Sequence, residues 1–322
     1  MTWERGRSII LQFNQSALIM NRTLKTTSAE WLAARRPFIR PSSFAIYSVI
    51  LRKHILPAFG ERKSAQIGEG EVQEFILRKF ADGMSLKSVR GLVTVLKMVV
   101  SHDLKAKPQW LLNYPDSPRR PLSLLSAQSH RALIRYAQEN FSFKNLGILI
   151  CLTSGLRIGE VCALQWQDID LREGTVRITK SASRLYDPER RTSRLTVGRP
   201  KTLSSQREVP LPGFVIKALR PMVKKATPEH FILSNAPVPI DPRVYRYYYI
   251  RLLERLGIPY VKFHGMRHSF ATRCIESRCD CKTVSSILGH SSVTTTYDLY
   301  VHPGISQKRR CVEHMMVKVL GK

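Results

Sequence analysis

Acidic residues are scarce in this 322-residue sequence. It has 24 Asp and Glu against 52 Lys and Arg, a formal net charge of +28. The carboxylates are few and none clusters beside the histidine- and arginine-rich stretches, which excludes a nuclease working through carboxylate-bound metal ions. Long apolar runs are missing too, and no stretch approaches the length that crosses a membrane. The short patch Ile9, Ile10, Leu11 and Phe13 is interrupted by polar residues and has no small-residue cleavage site behind it, so no secretory signal is expected. Cysteines number six. Cys151 and Cys162 lie among apolar residues as small core groups. Cys279 and Cys281 are one residue apart, against the two-to-four spacing of a zinc knuckle, so no metal site is expected there. A reducing cytosol fits this usage best. There is no internal repeat and no low-complexity tract.

Hydrophobic residues make up 43% of the chain, as in a globular protein, and the length suffices for two domains with separate cores. The cationic excess is spread along the whole chain. A folded protein carries so much like charge at a cost in self-repulsion, and a polyanionic partner relieves it. Nucleic acid is the leading partner. A membrane surface ranks well below it, because no basic amphipathic helix with bulky apolar anchors stands out.

Apolar periodicity divides the chain. Residues 1–24 form an N-terminal extension without a readable motif. Residues 25–105 read as a helical domain of four helices. Ser28 is the expected cap of the first, which Pro37 and Pro41 should end. Ser42 and Ser43 should cap the second, running to Pro57. Val72, Phe75, Ile76 and Phe80 mark the third, stopped by Gly83. Ser85 opens the fourth, with Val89, Leu92, Val93, Leu96, Val99 and Val100 on one face. Residues 106–120, with Pro108, Pro115 and Pro118, read as a linker. Residues 121–303 form a second domain. It should hold helices over 126–139 and 145–152, a break at Gly155 and a helix over 157–166. A small sheet from 175–180, 195–201 and 207–211 follows, with 183–194 as a basic loop, and then helices over 215–224, 245–256 and 268–276. Residues 304–322 form a tail helix with Val312, Met315, Met316 and Val319 at helical spacing. The expected fold is mainly α with a small antiparallel β-sheet.

The C-terminal stretch from His264 to His302 is the densest in chemistry. It gathers His264, Arg267, His268, His290, Tyr297, Tyr300 and His302 around apolar-periodic segments (Phe270, Cys274, Ile275; Val284, Ile287, Leu288). Imidazole, guanidinium and phenol together suit attack on a phosphodiester by a tyrosine. Such cleavage needs a nucleophile, cations to neutralise the five-coordinate phosphorus, and an acid for the leaving 5′-oxygen. Arginine serves the second task with its planar fork. Arg157 is a candidate, presented by a glycine break at the start of a helix, with Glu160 one turn on to orient its neighbours. The four-residue spacing of His264 and His268 resembles that of a zinc protease helix. Gly265 stands where that motif needs its general-base glutamate, so the zinc reading fails.

Four stretches in order resemble the tyrosine recombinase family, also called the phage integrases. They are Thr153-Ser154-Gly155-Leu156-Arg157-Ile158-Gly159-Glu160, with Leu164, Trp166, Asp168 and Ile169 behind it; Pro200-Lys201-Thr202 followed by Arg207-Glu208-Val209-Pro210-Leu211; His264-Gly265-Met266-Arg267-His268-Ser269-Phe270-Ala271-Thr272; and Leu288-Gly289-His290-Ser291-Ser292, then Thr294 to Thr296 and Tyr300. The resemblance covers residues 121–303. The 25–105 domain is similar to the family's core-binding domain in size, helicity and position.

The resemblance implies a site-specific recombinase that cleaves and rejoins DNA through a 3′-phosphotyrosyl link, with no metal, cofactor or ATP. It implies that Arg157 and Arg267 clamp the phosphate, that Lys201 protonates the leaving 5′-hydroxyl, that His264 gives acid–base support to the tyrosine, that His290 hydrogen-bonds the phosphate and that Tyr300 attacks. Members with Thr-Thr-x-Asp-x-Tyr place the nucleophile last, which selects Tyr300. Tyr297 then falls where leucine is common, and is expected to pack. The sequence departs from the family at Arg278, where glycine is usual; a left-handed Arg278 would cost about 1 kcal/mol. The implied partners are double-stranded DNA recombination sites and three further copies of the chain in a synaptic homo-tetramer, joined by exchange of the tail helix; no membrane is implied. The target sequence, the host and any directionality factor cannot be read from the chain. The expected role is integration and excision of a phage or other mobile element, with Xer-type resolution of replicon dimers as the alternative. The short N-terminal extension leaves little room for a separate arm-site domain. A type IB topoisomerase shares the chemistry but lacks the match to these motifs. A non-catalytic DNA-binding protein of the same fold would be expected to have lost one of the six side chains, and none is missing.

Overall fold

The computed structural model describes residues 22–116, 122–188, 190–200, 203–300 and 305–320. The N-terminal extension up to residue 21, the end of the linker, Lys201 and His302 lie outside them. The chain divides into two compact units, Met1–Arg120 with Leu185–Arg194, and Pro121–Arg184 with Leu195–Lys322. No helix among the described residues is long and apolar enough to cross a membrane.

The first unit is built of helices. α1 (Leu24–Arg35) is capped by Thr23, whose hydroxyl accepts from the Thr26 amide. Ser28, the expected cap, lies one turn inside, buried, and donates to the Lys25 carbonyl. α2 (Pro41–Ile50) starts at Pro41, the residue expected to end α1. A proline at the first helical position loses no bond, because its amide would have no partner there. The helix also passes the expected stop at Pro57. It widens into a π turn over Leu51–Ile55, with the Leu56 amide bonding back to Leu51, and runs on as α3 (Leu56–Phe59). The wide turn carries the ladder past a residue with no amide to give. α4 (Glu69–Ala81) ends before Gly83, and Ser85 caps α5 (Leu86–Leu104) as its sequence predicts. One face of α5 (Val89, Leu92, Val93, Leu96, Val99, Val100) is buried against Trp31, Leu51, Ile55, Phe75 and Ile76. Trp110, Leu112 and Tyr114, in the proline-rich stretch, pack on the same core.

The second unit begins with α6 (Ala127–Glu139) and α7 (Phe143–Ser154), capped by Ser126 and Ser142. α7 is apolar all round and buried from Asn145 to Leu152, the central rod of this core. α8 (Ile158–Cys162) is shorter than its periodicity predicts. Its continuation pairs with a distant segment instead: the Ile232 amide donates to Leu164 and the Trp166 amide to His230. A three-stranded antiparallel sheet follows, in the order β1 (Ile169–Asp170), β2 (Thr175–Ile178), β5 (Arg207–Pro210), with Val176 opposite both Ile169 and Val209. Residues expected to form a basic loop are instead part of a hairpin of β3 (Ser181–Asp187) and β4 (Thr192–Gly198), of which Leu185–Arg194 belongs to the first unit. Polar and basic side chains obscured its strands, because neither face is fully buried. α9 (Gly213–Val223), α10 (Pro242–Arg255), α11 (Phe263–Glu276), α12 (Cys281–Leu288), α13 (Val293–Tyr300) and α14 (Ile305–Leu320) complete the unit. α11 starts five residues earlier than expected, which takes His264 and Arg267 into the helix.

Candidate active site

The end of α12 organises this region. Gly289 closes the helix in the left-handed conformation, at φ +64. A side chain there would be strained, and its Cβ would lie 2.8 Å from the Ser204 carbonyl oxygen. The last carbonyls of a helix have no partner within it and carry the negative end of its dipole. Here three consecutive carbonyls each take a different arginine. Arg207 Nε donates to Ile287 at 2.5 Å, Arg267 Nη2 to Leu288 at 2.6 Å and Arg157 Nη2 to Gly289 at 3.4 Å. Arg267 Nη1 also donates to the Gly155 carbonyl at 2.9 Å. Gly155, at φ +65, is the left-handed residue that ends α7, and a Cβ on it would meet Phe270 and Leu288. Arg267 thus joins two helix ends.

Glu160 is the counter-ion. Its Oε1 is 2.7 Å from Arg157 Nη1, and its two oxygens accept from Arg207 at 3.1 and 3.0 Å. Its Oε2 also accepts from the Arg157 amide at 2.9 Å, closing the first turn of α8. Burial pushes its carboxyl upward, but the Arg207 hydrogen bonds and the Arg207 and Arg157 charges outweigh this, so its pKa is lowered. Arg267, 1% exposed, is drawn down to about 9 by burial and then by Arg157, and stays charged at neutral pH. Three guanidinium groups therefore share one carboxylate. Two positive charges are left over, which suits a bound phosphate gaining negative charge as a fifth oxygen approaches.

Burial and the neighbouring guanidinium groups favour the neutral form of the imidazoles. His264 is exposed, yet its pKa is drawn down to about 4, first by desolvation and then by His268, Arg267 and Arg157. His290 is drawn down to about 4 by burial and by Arg267 and Arg157. Its Nδ1 lies 2.8 Å from the hydroxyl of Thr296, fully buried on α13, which leaves Nε2 unengaged by that contact. His264 and His268 stack edge to face, with ring centroids 4.6 Å apart. Tyr300, 6% exposed, lies with its hydroxyl 2.6 Å from His268 Nδ1. Burial raises its pKa, against the pull of Arg267 and Arg157. Tyr297, expected to pack, is 56% exposed: at the surface of α13 it points away from the buried face that carries Thr296 and Tyr300.

Five of the six residues singled out from the sequence (Arg157, His264, Arg267, His290 and Tyr300) thus share one neighbourhood, linked by the bonds and charges above. Lys201 lies outside the described residues. Sequence reasoning gave no role in the site to Arg207, His268 or Thr296. The signal for His268 was present, since positions 264 and 268 share a helix face, but that spacing was weighed only as a metal motif. Among the described residues no group of three or more His, Cys, Asp or Glu side chains is placed to hold a metal ion.

Comparison with known proteins gives two family matches. Residues 124–306 match the phage integrase family, and residues 23–80 match the phage integrase N-terminal SAM-like domain. A tyrosine recombinase XerC-like protein of Caldanaerobacter subterraneus is 26% identical over 303 residues, covering 85% of this chain and 77% of the relative. Tyrosine recombinase XerC of Xanthomonas axonopodis is 27% identical over 251 residues, covering 74% of this chain and 75% of the relative. Among solved structures, the Tn1549 transposon integrase in complex with transposon right end DNA superposes with a TM-score of 0.73 at 20% identity, covering 92% of this chain and all of that one. A lambda integrase dimer bound to a core site gives 0.62 at 14% identity, covering 90% and 80%. At these identities the structures establish a shared fold.

Proposed function

The chain belongs to the phage integrase family and is a tyrosine site-specific recombinase, and from that premise we propose that Tyr300 is its nucleophile and that it integrates and excises a phage or other mobile DNA element. Tyr300 Oη attacks the scissile phosphate and the 5′-oxygen leaves, so the strand is held as a 3′-phosphotyrosyl ester. The ester keeps the bond energy, and rejoining is the same step reversed. Arg157 and Arg267 neutralise the non-bridging oxygens. His290 donates to one of them, Lys201 protonates the leaving oxygen, and His264 supports proton movement at the tyrosine. Residues 25–105 serve as a DNA-binding domain and 121–303 as the catalytic domain. Phosphate contacts supply most of the affinity.

The observation that carries this reading is Tyr300 itself. It is buried beside two charged arginines that share a helix end, while Tyr297 faces solvent. Exchange between two duplexes calls for four protomers in the reducing cytoplasm where the DNA lies. The tail helix α14 presents Val312, Met315, Met316 and Val319 to solvent, an apolar set suited to docking on a neighbour. A second reading, resolution of replicon dimers, is favoured by the names of the XerC relatives and uses the same chemistry on a different duplex.

Covalent trapping tests the proposal. Wild type, Tyr300→Phe and Tyr297→Phe are incubated in EDTA with nicked duplexes from the ends of the element that encodes the gene and, separately, with a host dimer-resolution site. A denaturation-resistant adduct lost only in Tyr300→Phe is expected, on the element duplex. Loss only in Tyr297→Phe would move the nucleophile one turn and overturn the assignment. An adduct confined to the dimer-resolution site would select the second reading. Tight binding to the duplexes with no adduct from any of the three would show a DNA-binding protein without the chemistry.

A further inference from the structure

The reaction above leaves one proton without a hydrogen-bonded acceptor. A buried phenol is a weak nucleophile, and Tyr300 has to shed its proton as the new bond to phosphorus forms. The residue implied for support at this step, His264, has no hydrogen bond to Tyr300 among those the described residues make. His268 does. It lies one turn further along α11 than His264, on the same face, with Nδ1 2.6 Å from the Tyr300 hydroxyl and the ring centroids 5.6 Å apart. Both partners are held. Tyr300 is anchored in the small core formed with Ala271, Val284 and Leu288. The His268 ring is braced edge to face by His264.

We infer that His268 is the base that takes the Tyr300 proton, with Nδ1 as the accepting atom, an inference that rests on Tyr300 being the nucleophile. As Tyr300 Oη bonds to phosphorus, the Oη–H bond breaks and the proton stays on Nδ1. The bond from phosphorus to the 5′-oxygen breaks, and that oxygen takes a proton from the acid, Lys201 in the scheme above. One neutral imidazole becomes an imidazolium, one ammonium becomes an amine, and the phosphodiester keeps its single negative charge. In rejoining, Nδ1–H returns its proton to the departing phenolate and the 5′-hydroxyl returns its own to the amine.

The surroundings fit. The groups facing His268 are His264 and Arg267 on its own helix, Tyr300 on α13 and His290 beyond α12. Its pKa is lowered, first by burial and then by Arg267, which favours the neutral ring, and in the tautomer with its proton on Nε2 the Nδ1 lone pair accepts from the Tyr300 hydroxyl. The imidazolium formed beside Arg267 would be unfavourable in the resting protein. During reaction it forms in step with new negative charge at the phosphorus, which offsets it. His268 is thus distinct in task from Arg267, its immediate neighbour in sequence, which holds the phosphate and donates its remaining hydrogens there.

The test must separate a base from a residue that only positions the phenol. His268→Asn keeps a hydrogen-bonding oxygen near the place of Nδ1 but cannot hold a proton. In single-turnover cleavage of the nicked duplex, full-length His268→Asn is expected to bind DNA as wild type does and to cleave about a hundredfold more slowly, or worse. Wild-type cleavage should rise with pH as a group below 6.5 deprotonates, and that dependence should vanish in His268→Asn. Fluorotyrosine at position 300, with its more acidic hydroxyl, should restore His268→Asn by a larger factor than it changes wild type. Tyr297→Phe, at the exposed face of α13, assayed alongside, should keep both the pH dependence and the ordinary response to fluorotyrosine. His268→Asn cleaving within threefold of wild type would overturn the inference. So would a slow His268→Asn whose pH profile and fluorotyrosine response match wild type, since that is the behaviour of a positioning residue. A wild type that forms no adduct, or forms it through another tyrosine, would overturn the underlying reading and this inference with it.

Discussion

Arg207 and Glu160 meet through two parallel hydrogen bonds of 3.1 and 3.0 Å, with only 6% and 2% of their side chains exposed. Nothing in the reaction scheme uses Arg207 directly, yet a further contact, to the Ile287 carbonyl, ties the sheet to the end of α12. Arg207→Met would leave Glu160 with Arg157 alone. Breaking a buried pair costs about 3–5 kcal/mol, and the remaining partner puts this case near 3. Denaturant unfolding should show that loss. Arg207→Lys should recover little of it, because an ammonium cannot make the paired bonds and reach Ile287 as well. Glu160 has a lowered pKa, so the stability it contributes is complete above the ordinary value of 4.5 and is lost as the pH falls through its lower folded value.

The histidines make acid the weak side of this protein. With His264 and His290 drawn down to about 4, the unfolded chain takes up protons first as the pH drops. Stability should be flat above about 6.5, decline steadily toward 4, and level off below that as far as these two groups are concerned. Thermal melts across this range should show the decline in wild type. They should show a shallower one in the His264→Asn, His290→Asn double variant, with correspondingly less proton uptake on unfolding.

Arg278 sits at φ +64 just past the end of α11, where the Cys279 amide bonds back to Cys274 and the Arg278 amide to Ile275. This is a helix stop that prefers glycine. Arg278→Gly should stabilise the protein by about 1 kcal/mol and raise Tm by about 2–4 °C. Its cleavage rate should equal that of wild type, because no reacting group is touched.

Removing the tail from Gly304 onward should spare cleavage of a nicked half-site and abolish the assembly of two duplexes into a four-protomer complex. Analytical ultracentrifugation with paired sites would measure this. Tetramers formed by the truncated protein would eliminate the docking role of α14.

Much of this was legible in the sequence, for physical reasons. Ser85 and Gly83 act locally, and local rules found them. The buried face of α5 follows from apolar periodicity. Errors came where a distant segment overrode a local preference. α8 is cut short by pairing with residues 230–232, and Pro57 sits inside a continuous helix because a π turn accommodates it. The site followed the same division. Glycine breaks and the order of the motifs marked Arg157, Arg267, His290 and Tyr300. The hydrogen bond between His268 and Tyr300 joins residues 32 positions apart, on two helices whose mutual packing no local pattern encodes.

Three arginines from distant parts of the chain take their bearings from three successive peptide groups of one helix end. Their relative positions are therefore not three separate adjustments. Each is also tied elsewhere, Arg157 and Arg207 to Glu160 and Arg267 to Gly155, so a displacement of α12 would strain all three at once and disturb their spacing. A change at Gly289 would disturb that spacing at its source. The cationic cluster has fewer degrees of freedom than it has members. Grafting its arginines onto another scaffold without those peptide carbonyls would reproduce the composition of the site and lose its geometry.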